Sequence, residues 1–176
     1  VGSRMVVGGT FTQVQEAGSN KPILNRSGIF SFDATTGTVD IGFNPTIAGE
    51  TRALLSSGDG SSVFVGGTFN TVNGVTSRKV ARLNLSNGAI TAGFKAPAFN
   101  GAISDLRLIR GNLLASGSFT SVNSTVRTGL ASLTAGSGAL NGFLNASITD
   151  PRAGTMNADK MDVTPHGNRI ALIGNF

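Results

Sequence analysis

Along residues 28–33 the side chains alternate, with Ile29, Ser31 and Asp33 on one side and Phe30 and Phe32 on the other. A period of two marks a half-buried β-strand. Similar runs follow at short intervals. Residues 53–57, 62–69, 79–85 and 89–94 read as four strands, with turns at Gly58-Asp59-Gly60 and Asn87-Gly88. Asn-Gly between alternating runs is the strongest short hairpin signal. Residues 104–109, 113–119, 128–133 and 139–143 repeat this course, and residues 4–14, 28–33 and 38–43 give a shorter version. Residues 15–25 and 144–158 read as loops. Glycine interrupts nearly every window that could be helical, at a cost of roughly 1 kcal/mol each, so the pattern predicts an all-β chain.

The runs are copies of one unit. Val63-Phe64-Val65-Gly66-Gly67-Thr68-Phe69 returns as Val6-Val7-Gly8-Gly9-Thr10-Phe11, as Leu114-Ala115-Ser116-Gly117-Ser118-Phe119 and as Ala171-Leu172-Ile173-Gly174-Asn175-Phe176. The phenylalanines Phe11, Phe69, Phe119 and Phe176 stand 58, 50 and 57 residues apart. A four-stranded propeller blade takes roughly 40–50 residues. The expected architecture is therefore an all-β propeller of four-stranded antiparallel blades, with repeats at about 1–50, 51–101 and 102–157 and a fourth beginning at 158. A second landmark, Arg26-Ser27-Gly28-Ile29, aligns with Arg78-Lys79-Val80 and Arg127-Thr128-Gly129-Leu130. Repeat one carries an insertion of about six residues within 15–25, and inserted loops commonly hold specificity.

The run Val80-Ala81-Arg82-Leu83-Asn84-Leu85-Ser86-Asn87-Gly88-Ala89-Ile90-Thr91-Ala92-Gly93-Phe94 resembles the delta-60 repeat of bacterial propeller-like proteins. Val163-Thr164-Pro165-His166-Gly167-Asn168-Arg169-Ile170-Ala171-Leu172-Ile173-Gly174 is similar to the other half of that repeat, with His166 where the family usually has Asp. The Gly-Gly and Phe pattern is also similar to kelch blades, although the kelch Tyr and Trp are missing. The resemblance implies a β-propeller, often secreted or on the cell surface of bacteria, and transfers no catalytic set. About three blades are fewer than the 4–8 that close a ring. The sequence therefore reads as part of a larger ring, with closure by two associating copies as the alternative.

Composition narrows the chemistry. Twenty-five glycines in 176 residues is about double the usual ~7%, and 13% charged residues is about half the usual ~25%. Ser, Thr and Asn fill the polar positions, which suits strands with a neutral surface. The absence of Cys removes disulfides, thiolate nucleophiles and Cys-based metal sites. The net charge of +5 is scattered, not clustered as a nucleic-acid footprint would be. No apolar run reaches the ~18 residues of a membrane span.

Few residues invite a chemical reading. His166 is the only histidine and sits in a Pro-His-Gly turn. Asp150, Asp159 and Asp162 could offer oxygens to Ca²⁺, but their spacing matches no EF-hand loop. They read as solvated turn carboxylates. Asp33, Asp40 and Glu50 form no acid–base pair by spacing, and no Gly-x-Ser-x-Gly elbow occurs. Arg26, Arg78 and Arg127 recur at one phase, either facing a ligand or bonding carbonyls between blades. A structural need repeats with the period more readily than a binding site does. These readings lead to a non-enzymatic module for binding, adhesion or structural display outside a bacterial cell (virion-type structure included), with a protein or glycan partner and no cofactor. The alternative is part of a glycan-active enzyme whose catalytic residues lie in other blades.

Overall fold

The computed structural model describes residues 2–149, 151 and 154–176. It is all-β among those residues. Sixteen strands occur in chain order: β1 (Arg4–Gly8), β2 (Gln13–Gln15), β3 (Ile23–Asn25), β4 (Ile29–Asp33), β5 (Thr51–Ser56), β6 (Ser62–Gly67), β7 (Thr71–Val72), β8 (Val75–Thr76), β9 (Val80–Asn84), β10 (Ile103–Ile109), β11 (Asn112–Gly117), β12 (Ser121–Val122), β13 (Thr125–Val126), β14 (Leu130–Thr134), β15 (Asn157–Val163) and β16 (Ile170–Asn175). The main sheets are antiparallel: β1-β4, β5-β6-β9, β10-β11-β14 and β15-β16. Small ribbons β2-β3, β7-β8 and β12-β13 bridge the second and third strands of the first three units.

Sheets stack face to face, and this explains the near-continuous apolar middle strands. Strand β6 is buried along its whole length. Its Val63 and Val65 point into a cluster with Ile29, Phe43, Ile47, Phe69 and Leu83. Its Phe64 points the opposite way, into a cluster with Phe94, Phe99, Ile103, Leu106 and Phe119. Leu113 and Ala115 of β11 enter that second cluster, while Leu114 joins Ile109, Leu130 and Met161 in a third. Strands β6 and β11 are thus each a wall between two cores. Inner strands β5, β10 and β15 lie side by side, with β1 beside β5.

The two-glycine step has a steric cause. In each unit the inner strand bulges as it meets the end of the middle strand, between Thr51 and Ala53, Ile103 and Asp105, and Ala158 and Lys160. The bulge brings a backbone carbonyl over the opposing residue. A Cβ on Gly67, Gly117 or Gly174 would overlap the carbonyl oxygen of Glu50, Ala102 or Asn157. The preceding glycine answers a different neighbour. A Cβ on Gly66 would strike Ile103 Cγ2, and one on Gly8 would strike Thr51 Cγ2.

Four expectations are corrected. The fourth strand of each blade shrinks to a single bridge, at Val39, Ile90 and Leu140. The side chain next along the segment ends it in two cases: Asp40 Oδ1 accepts from Gly42 N at 2.9 Å, and Asn141 Oδ1 accepts from Phe143 N at 3.1 Å. Those amides no longer seek a ladder. Residues 4–14 are two strands and not one, and the region 15–25 is not wholly loop, because Ile23–Asn25 pairs with Gln13–Gln15. Nor does all of 144–158 lie outside the strands, since β15 begins at Asn157.

Candidate functional site at the mouth of the inner strands

Antiparallel meandering puts the starts of the inner strands and the ends of the middle strands at one end of the stack. There a cleft of about 490 Å³ is lined by Gly8, Gly9, Glu50, Thr51, Arg52, Ser104, Asn157, Asp159 and Lys160, drawn from all four main sheets. The bulge residues themselves, Arg52, Ser104 and Asp159, occupy equivalent positions in three successive sheets. A bulge lifts its extra residue out of the ladder and re-aims its side chain, which is why three unlike polar groups meet here.

The cleft balances charge. Arg52 Nε lies 2.6 Å from Glu50 Oε2, with both side chains part-exposed. Asn157 Nδ2 donates to Asp159, and Ser104 Oγ donates to Asn157 Oδ1 at 3.4 Å. Lys160 is exposed. An exposed ion pair contributes only about 0.2–1 kcal/mol, so Glu50 and Arg52 can turn to a ligand at small cost. Nothing in the arrangement supplies a nucleophile beside a base. Among the described residues, no three His, Asp or Glu side chains converge as a metal site.

Deeper in the same sheets lies a buried carboxylate. Asp105 is 5% exposed. Its Oδ1 accepts from Leu106 N at 2.9 Å and from Arg107 Nη1 at 2.6 Å, and its Oδ2 accepts from Met161 N at 2.9 Å. It therefore ties β10 to β15 across two sheets. Its equivalents are Ala53 and Lys160, so no periodic signal pointed to it.

The arginines fall out differently from their expected series. Arg26 and Arg127 are equivalent: their amides donate to the carbonyls of Thr12 and Thr120. The residue doing this in the intervening repeat is Ser77, whose amide donates to Asn70 O. Arg78 is one place out of phase, matching Ser27 and Thr128. Arg26 is buried, with Nη1 on Asn25 O at 2.8 Å and Nη2 on Asp40 O at 3.3 Å. Arg127 donates to Val126 O at 2.8 Å. Arg78 is exposed and lines a shallow surface with Phe99 and Asn100.

The remaining candidates stand apart from one another. His166 is exposed in the β15–β16 turn, where its carbonyl accepts from Arg110 at 3.4 Å. Asp162 is 86% exposed and 3.9 Å from Arg107. Asp150 lies outside the described residues. Asp33 caps its own hairpin, accepting from Thr35 N and Thr36 N at 2.9 Å. The Thr36 amide first, then Ser3 and the Thr35 amide, hold its carboxyl below the ordinary aspartate range. Asp40 pairs with Arg4 at 2.7 Å. The insertion of repeat one folds back on its own sheet. Glu16 Oε1 accepts from Val39 N at 2.7 Å, and Lys21 lies 2.9 Å from Glu16.

Residues 59–94 match the family model of a β-propeller domain of unknown function, DUF5122. That stretch runs from the turn before β6 through Phe94, the unit whose middle strand is buried on both faces. No curated protein matches the chain. The stacked antiparallel sheets, with no helix among the described residues, and this match together define the class as a β-propeller repeat protein.

Proposed function

We propose that this chain is a non-enzymatic binding module of the bacterial cell exterior, and that the cleft at the mouth of the inner strands holds its protein or glycan partner. One observation carries the reading: four sheets converge on a polar cleft whose side chains are hydrogen-bond donors, acceptors and a weakly coupled ion pair. A concave site with a few convergent polar groups is the usual form of a binding site. The resemblance to delta-60 repeats and the neutral Ser/Thr/Asn surface favour an exterior setting.

The test is a glycan array and a bacterial-surface binding assay, run with the wild-type chain and an Arg52→Ala/Lys160→Ala double variant. Both side chains are exposed, so the variant keeps its fold. Binding by the wild type that falls at least about tenfold in the variant, a loss of roughly 1.4 kcal/mol, supports the reading. Unchanged binding in the variant moves the site elsewhere. Cleavage of an array glycan by the wild type would overturn the non-enzymatic reading and favour the glycan-active alternative.

A further inference from the structure

Arg78 is the spare cation of its series. Arg26 and Arg127 each donate to a backbone carbonyl at 2.8 Å. The exposed Arg78 guanidinium makes no hydrogen bond or ion pair among the described residues. It stands between the ribbons β7-β8 and β12-β13. Two adjoining depressions there, of about 470 and 450 Å³, share Arg78, Phe99 and Asn100 in their lining.

Lys79, beside it, breaks a local rule. Its amide donates to Phe69 O at 2.9 Å, as Gly28 N does to Phe11 O and Gly129 N to Phe119 O. The three positions are therefore equivalent. All have positive φ: 72° at Gly28, 77° at Lys79 and 73° at Gly129. Glycine enters that region without strain, and lysine does not. Backbone strain of this kind concentrates at functional sites. Lys79 Nζ donates to Thr68 O and Asn70 Oδ1, each at 2.9 Å. The ammonium is thus fixed in the first depression with one of its three hydrogens unused.

No Asp or Glu lines either depression. Two adjacent cations are left unopposed, so an anion gains from both. A guanidinium takes a carboxylate in a planar, two-bond fork. The remaining unbonded groups include the hydroxyls of Thr71, Thr76, Ser121 and Ser124, which have no hydrogen-bond partner among the described residues. Short hydroxyls both donate and accept, which matches the hydroxyls of a sugar. Of the apolar lining, Phe99 is buried and Ala98 half-buried, so no exposed apolar surface invites a peptide side chain. We propose that this surface binds a carboxylate-bearing saccharide, with its carboxylate on Arg78 and Lys79 and its hydroxyls on the ribbon Thr and Ser side chains. The site shares no residue with the mouth cleft, so it stands whether or not the cleft binds a partner.

The probe is tetragalacturonate, titrated into the whole 176-residue chain at low salt and followed by calorimetry and amide shifts. The expected result is saturable binding that weakens as salt rises and moves the amides of Thr76, Arg78, Asn100 and Ser121. The methyl-esterified tetramer, which keeps the hydroxyls and loses the charge, binds at least about tenfold more weakly. Arg78→Ala weakens tetragalacturonate binding by a similar factor, and Arg78→Lys does not restore it, because the fork is lost. Lys79→Gly installs the residue of both equivalent positions. It also weakens binding, yet shifts Tm by no more than about 2 °C, since relief of the left-handed backbone offsets the two lost Nζ bonds. The Arg52→Ala/Lys160→Ala cleft variant binds as the wild type does. No binding, binding unchanged in Arg78→Ala or Lys79→Gly, or binding lost in the cleft variant would each overturn the proposal. Tetraglutamate or inorganic phosphate binding as tightly as tetragalacturonate would overturn the saccharide assignment.

Discussion

At the scale of single residues, two carboxylates carry opposite lessons. Asp105 is buried and shared between β10 and β15, with every partner a fixed amide or guanidinium. Removing it leaves Met161 N and Arg107 without their acceptor, so Asp105→Ala costs about 2–4 kcal/mol. Asp162→Ala, at an exposed site, stays within about 0.5 kcal/mol. Chemical denaturation of the two variants checks the contrast, and equal costs would contradict the staple role. Asp59 lies at the surface in the β5–β6 turn. Its carboxyl sits far below the ordinary aspartate range, because Ser57 Oγ donates to it at 2.5 Å, then Ser61 N at 2.9 Å and Ser61 Oγ, with the Arg82 charge adding to the effect. A carboxyl depressed by folding stabilises the fold above its unfolded value near 3.9 and loses that contribution as pH falls toward its folded value. Tm therefore drops between about pH 4 and pH 2, and Asp59→Asn, already lacking the charge, shows a smaller drop over that window. Identical slopes for wild type and variant would contradict this.

Asp59 could be placed in a turn from its flanking glycines, but Asp105 could not be singled out. It interrupts an apolar strand, and its repeats carry Ala and Lys, so neither period nor composition marks it. The arginine series failed for a related reason. Sequence alignment put Arg78 with Arg26, whereas the backbone bonds put Ser77 there. A one-residue slip is invisible when the residue next along is also polar.

At the scale of elements, long strands were legible and short ones were not. Alternation exposed β4, near-continuous apolar runs in a repeated motif exposed β6 and β11, and glycine turns fixed their order. The ribbons β7-β8 and β12-β13 have two residues per strand, too few to show a period. Their signal was turn chemistry instead. Asn73-Gly74 and Asn123-Ser124 all have positive φ, between 46° and 74°, the conformation of a two-residue hairpin turn that Asn and Gly tolerate best. These asparagines also clamp the preceding linker. Asn73 Oδ1 accepts from Thr46 N and Asn123 Oδ1 from Ala98 N, both at 2.8 Å, and Asn73 Nδ2 donates to Gly88 O at 3.0 Å. Asn123→Ala therefore loses a linker anchor and costs about 1 kcal/mol. Faster hydrogen exchange at Ala98 would report it, and an unchanged rate would contradict it.

At the scale of the whole molecule, the β-propeller class was readable because its steric demands recur. A wall strand packed on both faces needs an unbroken apolar run, and a bulged inner strand needs a glycine opposite. Those demands account for the motif at Gly67, Gly117 and Gly174. Function does not recur in the same way. The cleft at the mouth draws unlike polar side chains from equivalent bulges of three sheets, Arg52, Ser104 and Asp159, so they share no sequence motif and only the stacking brings them together. The outer segments were over-read as strands because their apolar residues Val39, Ile90 and Leu140 alternate correctly but make one bridge each.

Residue-resolved hydrogen exchange on the native chain tests this architecture most directly. Amides of β6, β9, β11 and β14 should exchange slowest and with a common free energy, because each belongs to a sheet packed between two cores. Residues 41–43, 92–94 and 142–143 should exchange orders of magnitude faster, since a single bridge protects little beyond its own amides. Outer segments as slow as the middle strands, or β6 and β11 exchanging as fast as the loops, would contradict the stacked-sheet account.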